Sequence, residues 1–181
     1  CSQGNYLGDW GETDFARPHG LTISKQNEVF CTDDFAHTVT KYDLQGNLLL
    51  ALGTRGCKSE TGAVDVDYRK IKYSAGPFNY PTNLAIASDE SFYVSDGYGN
   101  ARIHHFAATG DHLRSWGDPG TRPAQFAVPH DIRIHENGDI WVADRENDRI
   151  QIFSPYGNFI RLLDGLARPA SFDFGPDGEI Y

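Results

Sequence analysis

Apolar and polar residues alternate in short runs along the chain. Leu84 and Ile86, or Ile132 and Ile134, mark a strand in which every second side chain is apolar. A polar turn follows, such as Glu136-Asn137-Gly138-Asp139. A denser run comes next, Phe92-Tyr93-Val94-Ser95 or Ile140-Trp141-Val142-Ala143, and it closes on Asp33, Asp96 or Asp144. A third run, Arg102–Phe106 or Arg149–Phe153, turns at Gly46, Gly110 or Gly157 into a fourth that ends near Gly53, Gly117 or Gly165. Period-two runs broken by Gly, Asn and Asp predict short strands joined by hairpins. No stretch sustains a helical period over about ten residues.

This four-strand unit repeats. Residues 17–53, 80–117 and 128–165 align with one another, and a partial unit occupies 168–181. Residues 4–11, Gly-Asn-Tyr-Leu-Gly-Asp-Trp-Gly, read as the outer strand of a preceding unit. Four antiparallel strands in about 40–45 residues is the pattern of a propeller blade. The expectation is an all-β fold, one β-propeller domain over 1–181 with about four blades present, part of a six-bladed ring. Asp33 and Asp96 lie 63 positions apart, Asp96 and Asp144 only 48. The surplus is residues 54–78, expected to form a long inter-blade loop on one face, where function tends to gather. Open blade edges would offer a route to oligomerisation with another copy.

Composition narrows the class. Of 181 residues, 39% are hydrophobic and 13% aromatic, too many for a disordered chain. No apolar run approaches the roughly 18–20 residues that span a bilayer. A net charge of −9 without a Lys/Arg cluster argues against a phosphate-backbone partner. Cys1, Cys31 and Cys57 lack zinc spacing and are too few for a disulfide scaffold; a Cys31–Cys57 bridge stays open. The chain starts without Met or a signal peptide, so a leader was removed or it is a piece of a longer chain. Cys1 stands where a mature bacterial lipoprotein carries its lipid, although repeat sequence beginning almost at once argues against that reading.

Candidate chemistry follows from the repeat. Each unit opens on a proline, and the next residue is His19, Thr82, His130 or Ala170. The innermost strands of a propeller line its central channel. His19 and His130, 111 positions apart, are therefore expected to converge there, either as metal ligands or as turn histidines bonded to neighbouring blades. Tyr98 and Arg145 occupy nearly equivalent places just after Asp96 and Asp144. A Tyr serves as base only where a metal or cation lowers its pKa from about 10, and an Arg clamps carboxylates. The three aspartates are expected to cap the turns that follow them. His37 is a candidate supporting residue, whereas His104, His105, His112 and His135 are expected at the surface. No nucleophile elbow, phosphate loop or glycosylation sequon is present.

The stretches VADRENDRIQIF, YVSDGYGNARI, RPHGL and VPHDI resemble NHL-repeat propellers. More narrowly, they resemble the peptidyl-α-hydroxyglycine α-amidating lyases and their bacterial relatives over about Phe15 to Phe159. That resemblance implies an extracellular or periplasmic six-bladed carbon–nitrogen lyase. It implies a channel zinc on three histidines, and cleavage of a peptidyl-α-hydroxyglycine to a peptide amide and glyoxylate. His19 and His130 match two zinc ligands, Tyr98 the base and Arg145 an active-site arginine. Leu21 matches a residue whose backbone carbonyl binds calcium in the animal enzymes. The third zinc histidine would lie beyond Tyr181, since Ala170 is not one, and a further arginine before Cys1. Gly99, Trp141 and Ile152 stand where animal enzymes have disulfide cysteines, which favours a bacterial relative. The alternatives are a non-catalytic propeller binding a peptide, protein or glycan, and a different propeller enzyme such as a lactonase.

Overall fold

A computed structural model describes residues 3–6 and 8–181. Cys1, with its lipoprotein reading, lies outside the described residues. Three four-stranded antiparallel sheets follow one another along the chain. The first holds Pro18–Ile23 (β1), Val29–Asp33 (β2), Thr38–Tyr42 (β3) and Leu48–Leu52 (β4). The second holds Pro81–Ile86 (β5), Phe92–Asp96 (β6), Arg102–Phe106 (β7) and His112–Trp116 (β8). Asp118–Pro119 (β9) and Gln125–Phe126 (β10) form a small parallel ribbon. The third sheet holds Pro129–Ile134 (β11), Ile140–Asp144 (β12), Arg149–Phe153 (β13) and Phe159–Leu163 (β14). A bridge between Phe174 and Ile180 begins a fourth. Each sheet is a meander in which sequence neighbours pair, the arrangement of a propeller blade.

The blades pack face to face. Phe30, Val39 and Phe78 meet Leu84, Phe92, Val94 and Phe106 between the first and second blades. Ala85, Tyr93 and Ile103 meet Ile132, Ile140, Val142 and Phe153 between the second and third. β6 and β12 are buried along their whole length because neighbouring units cover both faces, and β2, equally buried, meets the second blade through Phe30. That is why their sequences are dense apolar runs, while the flanking strands alternate.

The expected outer strand at 4–11 is not formed among its described residues, 4–6 and 8–11; Leu7 lies outside them. Within this chain the fourth unit has no third strand, so the segment has no edge to pair with. Trp10 instead packs on Tyr42, with ring centroids 4.9 Å apart. Cys31 is buried in β2 and Cys57 is exposed beside Thr54, and both are free thiols. No helix among the described residues is long and apolar enough to cross a membrane.

Candidate functional site

The same irregularity opens every blade. Pro18 pairs with Asp33 and Gly20 with Thr32, so His19 is an extra residue in a β-bulge. The bulge recurs at Thr82 and at His130. A bulge bends the strand and re-aims the extra side chain. Here it turns both imidazoles out of the pleat and toward one point, with ring centroids 5.1 Å apart.

The aspartates that close the second strands hold this geometry. Asp33 accepts from the backbone N–H groups of Ala16 and Arg17, Asp96 from that of Asn79, and Asp144 from that of Ala127. Each carboxylate thus clamps the loop entering its own blade. Turn capping, the expected role, is only part of what they do: Asp33 also takes the Ala36 N–H, and Asp144 takes the Asn147 side chain.

The centre itself is compact. His19 Nδ1–H donates to the Thr82 carbonyl at 2.7 Å, and His130 Nδ1–H donates to the Ala170 carbonyl at 2.6 Å. A backbone acceptor on Nδ1 fixes the tautomer and leaves Nε2 with a lone pair. Both Nε2 atoms face the Tyr98 hydroxyl, at 3.1 Å for His19 and 2.8 Å for His130. Arg145 Nη1 donates to the same oxygen at 3.5 Å, and its guanidinium carbon lies 5.3 Å from the Tyr98 ring centre. Arg145 is held in turn by Glu146, at 2.9 Å from Nε. Burial lowers the His130 pKa, aided by Arg145 and His19 and opposed by the Ala170 carbonyl and Asp131, which favours the neutral ring.

This arrangement has more lone pairs than protons. The phenol carries one hydrogen and two bare Nε2 atoms face it, so one ring nitrogen is left without a donor from Tyr98. A cation with an affinity for imidazole nitrogen satisfies both, and the second-blade and fourth-blade carbonyls behind the rings are the outer partners such a site uses. Among the described residues no group of three His, Cys, Asp or Glu side chains is placed to hold a metal. His19 and His130 are the two side chains here whose Nε2 atoms could ligate such a cation.

The other sequence candidates lie elsewhere. His37 is buried, and its Nδ1 accepts the Tyr80 N–H at 3.1 Å; the Tyr80 carbonyl accepts the Tyr98 N–H. It therefore supports the backbone beneath Tyr98 and does not face the centre. Leu21 pairs with Cys31 in β1 and exposes its side chain. His104 and His105 are buried, against the expectation of a surface position. His104 fits between the Asp96 carboxylate and Ser115, the place Gln151 takes beside Asp144.

Sequence reasoning missed three residues. A cavity of about 530 Å³ opens over the centre, and Arg17, Asp34 and Tyr68 line it with His19, Tyr98 and Arg145. Arg17 grips Asp34 with Nε and Nη2. Arg17 could have been flagged, since it directly precedes Pro18-His19; Arg168 holds the same place before Pro169. Tyr68 carried no such signal. It sits in the segment between β4 and β5, which Thr61 pins to the Gly99 carbonyl, one residue past Tyr98.

The comparisons agree with this architecture. Residues 126–153 match the NHL repeat. NHL repeat-containing protein 3 of Mus musculus is 31% identical over 97% of this chain and 51% of its own length. Peptidyl-alpha-hydroxyglycine alpha-amidating lyase 1 of Drosophila melanogaster is 33% identical over 83% of this chain and 28% of its own. A solved streptogramin B lyase superposes with a TM-score of 0.66 at 19% identity, over 93% of this chain and 48% of that one, which speaks to fold alone. The fold is an NHL-type β-propeller. The chain spans about half the length, or less, of the relatives it matches.

Proposed function

We propose that this chain carries part of the active centre of a zinc-dependent lyase that splits a peptidyl-α-hydroxyglycine into a peptide amide and glyoxylate. The observation that carries this reading is the convergence of two lone-pair-bearing imidazoles and a guanidinium on one phenol oxygen. Similarity to an amidating lyase supports it. His19 and His130 would hold the metal through Nε2. Bound zinc supplies Lewis acidity to a hydroxyl brought to this point. Arg145 binds the substrate carboxylate and fixes the α-carbon beside Tyr98. Tyr98, as the tyrosinate that a bound cation and Arg145 would favour, takes the proton of the α-hydroxyl. The electron pair of that O–H bond becomes the carbonyl of glyoxylate as the C–N bond breaks, and the proton taken up by Tyr98 passes to the departing amide nitrogen. A third zinc ligand and the remaining wall of the channel belong to blades that this chain does not contain.

The test is glyoxylate release from an α-hydroxyglycine peptide, with zinc content measured in the same preparation. The expected result is zinc-dependent release that Tyr98→Phe abolishes with zinc retained, and loss of zinc in His130→Ala. Zinc binding that His130→Ala leaves intact would overturn the ligand assignment. Zinc binding without glyoxylate release, in a chain joined to its missing blades, would favour a binding propeller. NHL repeat-containing protein 3, similar over a larger share of its own length, keeps that second reading in view.

A further inference from the structure

The hairpin turns at the far end of the blades enclose a second cavity. β5 and β6 run from the Pro81/Asp96 end, where Tyr98 emerges, to the Ile86/Phe92 end. At that opposite end, between the second and third blades, lies a cavity of about 310 Å³. Tyr93, Ile134, Pro155 and Tyr156 form apolar and aromatic walls, and His105, Arg114 and Asp89 bring polarity.

The polar groups here are unsatisfied. His105 is 8% exposed and stacks on Tyr93 at 4.0 Å, yet neither ring nitrogen has a partner. Arg114 Nε is also buried without one. Among the described residues Arg114 has no ion pair; it lies over the Tyr156 ring and makes one long contact, 3.4 Å, with the Tyr156 carbonyl. Buried polar groups in native proteins are nearly always satisfied, so the unpartnered groups of two residues around one cavity suit it to a polar ligand.

The repeat supplies an internal control. The register sets Phe30 against Lys41, Tyr93 against His105 and Trp141 against Ile152. In the first blade Lys41 pairs with Glu28 at 3.2 Å. In the third, Ile152 has no polar atom to satisfy. In the second, Ser91 stands where Glu28 would be, and His105 is left alone. Blade packing alone does not ask for an imidazole at this position.

We propose that this cavity binds a small zwitterion, an α-amino acid with an apolar or aromatic side chain. Its carboxylate meets Arg114 and the N–H of His105, its ammonium meets Asp89, and its side chain lies against Tyr93 and Tyr156. A planar guanidinium suits a carboxylate. Burial keeps His105 neutral, with Arg114 reinforcing this, so the ring offers one donor and one acceptor. Asp89 is held ionised by the Ser91 hydroxyl, and so it is available to a cation.

The test titrates the native protein by calorimetry with L-phenylalanine, 3-phenylpropionate and phenethylamine. L-Phenylalanine is expected to bind with Kd below about 1 mM, and each half-molecule roughly tenfold or more weakly. Arg114→Met is expected to weaken L-phenylalanine by at least about tenfold. Asp89→Asn, at an exposed turn that a variant does not unfold, is expected to weaken L-phenylalanine and spare 3-phenylpropionate. Circular dichroism checks that both variants fold. No binding of L-phenylalanine at about 10 mM, or equal affinity in folded Arg114→Met, overturns the site. Equal affinity for 3-phenylpropionate and L-phenylalanine overturns the zwitterion.

Discussion

Gly97 offers a direct probe of how the blades meet at the centre. It lies between Asp96 and Tyr98, and a Cβ at this position would stand 2.2 Å from the Pro129 carbonyl oxygen of the next blade. Its backbone is not in the left-handed region, so alanine would suit the local conformation and the whole penalty is spatial. The carbonyl cannot yield freely, because the Thr82 hydroxyl lies 2.8 Å from it and the bulged His130 follows it. Restoring an ordinary contact requires the second and third blades to part by about 1 Å. Overpacking of this kind costs about 1–3 kcal/mol. The same movement lengthens the 2.8 Å contact between Tyr98 and His130. Urea unfolding of Gly97→Ala, followed by tryptophan fluorescence, should show a loss in that range. Gly76→Ala is the control, since nothing lies within 4 Å of its Cβ, and it should change stability by less than about 0.5 kcal/mol. Unfolding of Gly97→Ala at the wild-type urea concentration would refute the close approach of these two blades.

Two further outcomes follow from the structure. His37, His105 and His130 all have lowered pKa values, in each case chiefly through burial. With folded values below the ordinary 6.5, the unfolded chain binds more protons as pH falls through that value, so stability present above it drains away in mild acid. The urea midpoint should be lower at pH 5.5 than at 7.5, and an equal or higher midpoint would contradict the burial of these rings. A maleimide reagent should label exposed Cys57 in the native protein and reach Cys31 only after unfolding, as mapped by peptide mass spectrometry. Burial and Asp33 also push the Cys31 thiol pKa up, which further slows its reaction. Native labelling of Cys31 at the rate of Cys57 would show that β2 is not covered.

Much of the fold was legible in the residues because blade formation is local. Alternation sets each strand, Gly and Asp set each turn, and a meander pairs only sequence neighbours, so the strand pattern can be read in order along the chain. The repeat also shows which positions are equivalent, and that alone singles out His19 with His130 and Tyr98 with Arg145. What the residues could not show depends on contacts between blades. The bulge that aims His19 and His130 is a mismatch of register between two strands, invisible in either strand alone. The capture of both Nδ1 atoms by carbonyls of the next blade, the clamp role of Asp33, Asp96 and Asp144, and the approach of Arg17 and Tyr68 all join residues far apart in sequence. Burial of His104 and His105 was misjudged for the same reason. A strand's own pattern tells which side chains alternate, but a middle strand is covered on both faces, and only the neighbouring blade decides that.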